Sequence, residues 1–108
     1  MTPEGKVREF LKRRVEELGG EIRAIRYIGR SHCPDVKVMF PPMSRGANLA
    51  SSTRIDSGLG WQCEVETKAP GKRPRPGQAR EHVRLRMCGV DVRVCATIEQ
   101  VDAEFPLK

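Results

Sequence analysis

Trp61-Gln62-Cys63-Glu64-Val65-Glu66-Thr67-Lys68 alternates in character along its whole length. A strand points successive side chains to opposite faces. Trp61, Cys63, Val65 and Thr67 therefore share one face, and Gln62, Glu64, Glu66 and Lys68 share the other. The first set suits a core, whereas the second ends in a carboxylate and an ammonium two positions apart. An earlier run, Pro34-Asp35 followed by Val36-Lys37-Val38-Met39-Phe40, also reads as a strand, with Val36, Val38 and Phe40 on one face. If the two strands are neighbours, Asp35 joins Glu66 and Lys68. Isolated charges are costly to bury, so such a cluster is poor material for a core. Two adjacent carboxylates repel, and a divalent cation relieves that repulsion. The pattern reads as a metal site beside a lysine.

The rest of the chain falls into place around these strands. Thr2 is an N-cap with Pro3 at the first helical position and Glu4 in the first turn. Val7, Phe10, Leu11, Val15 and Leu18 then recur at helical spacing, Arg and Lys fill the other face, and Gly19-Gly20 ends the helix. Glu21 to Ile28 reads as a strand and Gly29–His32 as a turn. Pro41 to Gly60, rich in Pro, Ser, Gly and Asn, is expected to be a mobile loop. Ala69 to Gly77 forms a basic loop, because its Pro and Gly content suits neither helix nor strand interior. A second helix is expected from about Gln78 to Cys88, then a strand carrying Val90, Val92, Val94 and Ala96. Thr97 and Gln100 form a capping box for a last helix bearing Ile98, Val101 and Phe105. The order is α-β-β-β-α-β-α, an α/β (α+β) fold with helices packed against a small mixed sheet.

With 108 residues the chain is expected to form one domain, 1–108. Twenty Lys and Arg against fourteen Asp and Glu give a net charge of +6, which favours a polyanionic partner, nucleic acid first. No stretch approaches a membrane span, and the N-terminus lacks the apolar run of a signal peptide, so a cytoplasmic location is expected. Cys63, Cys88 and Cys95 sit among apolar neighbours and read as buried, reduced core residues.

Taken in order, Glu4, Gly29-Arg30, Pro34-Asp35, Glu66-Thr67-Lys68 and Gln78-Ala79-Arg80-Glu81-His82 resemble the VRR-NUC branch of the PD-(D/E)XK nucleases. The resemblance runs from Thr2 to Phe105 and implies a restriction-endonuclease-like fold. It also implies a Mg²⁺- or Mn²⁺-dependent phosphodiesterase acting on DNA. Stand-alone members of that family are phage- or bacteria-encoded dimers that act on branched DNA, including four-way (Holliday) junctions and flaps. The expected partners are therefore structured DNA and a second copy of the chain, with room for a helicase or a replication or repair complex, in a bacterial or phage-infected cytoplasm.

The residues carry this chemistry without the name. Asp35, Glu66 and the backbone carbonyl of Thr67 offer oxygen ligands to a hard cation, which Glu4 completes directly or through water. Lys68 is placed to orient a water or neutralise charge building on the phosphate. Gln78 opens the second helix, where it can bond Lys68, the water or a phosphate. Glu64 is a rival ligand without the spacing of Glu66 to Lys68. Arg30, Lys72, Arg73, Arg75 and His82 are expected to contact DNA. The alternative to an endonuclease is a non-catalytic nucleic-acid-binding module of the same fold.

Overall fold

The structure, a computed structural model, describes residues 1–50 and 60–107. Helix α1 spans Pro3–Glu17, and the Thr2 hydroxyl accepts from the Gly5 N–H at 3.0 Å, as an N-cap should. Strands β1 (Glu21–Ala24), β2 (Val36–Phe40), β3 (Trp61–Thr67) and β4 (Val92–Cys95) form one sheet in sequence order. β1 and β2 pair antiparallel, as do β2 and β3, while β3 and β4 run parallel. Parallel neighbours need a crossover, and α3 (Pro76–Met87) supplies it. The last helix, α4, covers Ile98–Glu104.

An additional short helix, α2 (Arg45–Ala50), lies within the stretch expected to be a mobile loop. It packs beside β2: a Cβ on Gly46 would fall 1.9 Å from the Phe40 ring, so only glycine admits this approach. The remainder of that loop, 51–59, lies outside the described residues. β1 stops at Ala24, short of the expected Ile28, and Ile28 is fully exposed. Helix α3 starts two residues early because Pro76 takes its first position, while Gln78 Oε1 accepts from the Arg75 N–H at 2.9 Å.

The core lies on one face of the sheet. Val7, Leu11, Val15 and Leu18 from the first helix, with its end, meet Val36, Val38, Phe40, Trp61, Cys63 and Val65, closed by Val101 and Phe105. Phe40 and Trp61 are register partners and stack at 5.5 Å, with Phe105 tilted against both at 6.2 Å. Cys63 and Cys95 are buried as expected, but Cys88 is exposed, because it caps α3 at the surface. The opposite face of β3 is also covered, yet its buried residues there are Glu64 and Glu66. An apolar face thus holds the sheet, and a polar face against α3 is left for chemistry.

Candidate active site

Antiparallel register sets Val36 opposite Val65. One further step brings Asp35, just ahead of β2, beside Glu66. Asp35 is tied down by β3: its Oδ1 accepts from the Thr67 N–H at 3.1 Å and its Oδ2 from the Thr67 hydroxyl at 2.8 Å. Glu66 projects to the polar face with its side chain only 6% exposed. Lys68 Nζ lies 3.6 Å from Glu66 Oε2, as the period-two spacing requires. Gln78 Nε2 approaches the same oxygen at 3.5 Å.

Burial is the main force acting on Glu66, and the Asp35 charge adds to it. Together they push its carboxyl up to about 7, against the opposing pull of Lys68. Its other oxygen, Oε1, is buried without a hydrogen-bond partner, and so is Nε2 of His82, 3.8 Å away. Burial, then the Arg86 and Lys68 charges, hold His82 below the ordinary histidine range, which favours a neutral ring.

Around this centre, Glu4 reaches in from α1 through Arg8. The Arg8 guanidinium bonds Glu4 at 3.2 Å, Asp35 more closely, and the Thr67 hydroxyl at 3.0 Å. Asp35, Glu66, Lys68 and Gln78 thus form one group with the Thr67 backbone, and Glu4 stands at its edge.

A solved structure of a "VRR_NUC domain" superposes on the chain with a TM-score of 0.74 and 36% sequence identity, covering 95% of this chain and 94% of that one. The chain belongs to the VRR-NUC family. No family model and no curated protein matches it. The mixed, helix-flanked sheet and its element order fit that family, and the family makes this a nuclease-type domain.

The structure sorts the remaining site expectations for this VRR-NUC chain. Arg30 pairs with an acid, Glu81, at 2.9 Å, and that bond is the main cause holding the Glu81 carboxyl below its usual range. Glu64, the rival ligand, instead accepts from the Tyr27 hydroxyl at 2.6 Å. His82 is 2% exposed, packed behind Glu66, and so offers no surface to a duplex. A contact with DNA does not fit that burial; the helical period turns His82 inward, one turn after Gln78. Lys72, Arg73 and Arg75 are exposed on the basic loop that leads from β3 to α3. Among the described residues, no three His, Cys, Asp or Glu side chains converge into a ready-made metal cage.

Arg8 was not singled out in the sequence, where it reads as one more cation on a solvated helix face. A signal was there: Glu4 and Arg8 are spaced i, i+4, so the arginine stacks over the acid one turn on. Nothing in the spacing announces Asp35 as its second partner.

Proposed function

We propose that this VRR-NUC domain is a Mg²⁺- or Mn²⁺-dependent DNA endonuclease of the PD-(D/E)XK type, acting on branched DNA such as four-way junctions or flaps, as a homodimer. The observation that carries the reading is the buried Glu66, flanked by Asp35 and by Lys68 at 3.6 Å. Burial and the Asp35 charge hold the Glu66 carboxyl well above the usual range and one of its oxygens has no hydrogen-bond partner, so stability does not explain its position. A hard cation would satisfy that oxygen.

The donor set fits such an ion in chemistry: every donor is oxygen, and Mg²⁺ is commonly held by one or two carboxylates with water filling the rest. Asp35 and Glu66 would hold it with the Thr67 carbonyl, and Glu4 would join through water. When bound, the ion lowers the pKa of a water and polarises a phosphoryl oxygen. Lys68 then steadies the attacking water or the growing phosphate charge, and Gln78 holds the Glu66 carboxylate in position. The basic loop, Lys72, Arg73 and Arg75, supplies cations for the backbone of the strand. Two symmetric nicks in a junction need two such centres, which is the reason for a dimer.

The decisive experiment incubates purified protein with end-labelled four-way junction, flap and linear duplex, each with Mg²⁺, Mn²⁺ or EDTA. Cleavage of the branched substrates only with a divalent ion is the expected result. Tight binding with no cleavage under any metal would instead favour the non-catalytic module.

Metal affinity should also depend on pH in a direction set by Glu66. Its carboxyl must lose a proton to ligate, and that proton is held up to about 7. Mn²⁺ affinity should rise by up to about tenfold per pH unit until near neutrality and then level off. The metal-free protein should do the reverse. A folded-state pKa raised above the unfolded one gives stability that is complete at low pH and lost as pH rises through about 7. Manganese titrations and denaturant melts across the same pH range check both slopes; a flat affinity profile would remove Glu66 from the ligand set.

A further inference from the structure

We infer that Arg8 is the resident counter-cation of the acidic site, which occupies Asp35 until a divalent ion displaces it and so sets how tightly the ion binds. The inference rests on the metal-dependent reading above.

Its geometry is specific. One guanidinium joins Glu4, Asp35 and the Thr67 hydroxyl, with Nε 3.3 Å and Nη2 3.0 Å from the hydroxyl oxygen. Asp35 Oδ1 is taken by the Thr67 N–H, and Oδ2 by both the Thr67 hydroxyl and Arg8. Oδ2 is thus filled, and an ion that takes it, alone or together with the second lone pair of Oδ1, displaces Arg8, because the Thr67 N–H bond belongs to the β3 backbone and holds the carboxylate in place. The guanidinium can yield. Its side chain is 47% exposed, at the mouth of the site, and its stem leaves a helix fixed independently by Val7 and Leu11 on the buried side. Lys68 faces Glu66, but Glu4 and Asp35 would repel each other without a cation between them. Arg8 meets that need in the metal-free protein. A monovalent charge half in water holds Asp35 weakly enough for a divalent ion to win.

The test measures Mn²⁺ binding to metal-free protein without DNA, from loss of the free-ion electron paramagnetic resonance signal, and repeats it for Arg8→Gln and Arg8→Lys. Removing the competitor should tighten Mn²⁺ binding by about three- to tenfold in Arg8→Gln. Arg8→Lys keeps the charge but loses the fork, and should fall between. Lys12→Gln removes a charge of the same sign one turn further along α1, where it pairs with Glu16 and not with Asp35, and should change the affinity far less than Arg8→Gln. Thermal melts give a second readout: Mn²⁺ should raise the melting temperature of Arg8→Gln by more than that of the parent. Equal or weaker Mn²⁺ binding in Arg8→Gln, with normal binding by the parent, overturns the counter-cation while the metal site stands. If the parent binds no Mn²⁺, and Asp35→Asn behaves the same, both ideas fall together.

Discussion

Replacing Asp35 by asparagine should, on the proposed metal-dependent mechanism, lower DNA cleavage by about a thousandfold or more, since loss of a direct metal ligand would remove several kcal/mol of charge stabilisation. Asparagine keeps an acceptor for the Thr67 N–H, and its amide NH2 in place of Oδ2 can donate to the Thr67 hydroxyl oxygen, so the end of β2 stays pinned to β3. Stability should change by no more than about 1 kcal/mol, because the lost partner, Arg8, is half in water. A second consequence separates this chemistry from misfolding. Asp35 helps to raise the Glu66 carboxyl, so its neutralisation should move the Glu66 titration below about 7 in the metal-free variant. Single-turnover cleavage of a labelled junction, with a melt at matched pH, gives both readings. Wild-type turnover in Asp35→Asn would remove this residue from the catalytic set.

Phe105→Ala should cost about 3–5 kcal/mol of stability, among the largest effects expected of a single core truncation. The ring is fully buried against Phe40 and Trp61, and Arg93 lies over it at 5.7 Å. Its backbone oxygen also accepts from Arg14 Nη1 at 2.9 Å, which ties the end of α4 to α1. A cavity there would loosen the clamp between first and last helices. Against a typical total of about 5–15 kcal/mol the loss is severe, and the melting temperature should drop by roughly 10–30 °C. Urea unfolding followed by tryptophan fluorescence is well suited, because Trp61 is the sole tryptophan and touches the site of change. A loss under about 1 kcal/mol would mean that the three rings do not carry the core.

One substitution probes the acidic end of β2 and the other the apolar core, and the division between the two faces of the sheet was readable in β3 alone. Period-two alternation put Trp61, Cys63 and Val65 toward the helices of the core, and Glu66 with Lys68 toward the other side. Local chemistry likewise placed the caps: Thr2 on α1, and Thr97, whose hydroxyl accepts from the Gln100 N–H at 3.0 Å. Short-range rules succeed here because a side chain's face and a helix's first turn depend on neighbours a few residues away.

Where two or more distant segments share a decision, the residues alone were less informative. Cys88 looked apolar in its context, yet it ends a helix that has only its inner side covered. The stretch after Phe40 looked like an open loop, but a helix forms there where Gly46 can lie against the Phe40 ring. His82 looked like a ligand for substrate; the packing of α3 on β3 turned it into the buried neighbour of Glu66.

By itself the sequence determined the order of the elements apart from the short α2, the apolar face and the identity of the acids and lysine, since periodicity and composition are properties of contiguous residues. Only the tertiary structure decided that Arg8 reaches Asp35, 27 positions away, and that His82 faces Glu66. Those pairings follow from how helices sit on a twisted sheet, where burial and charge act through space and not along the chain.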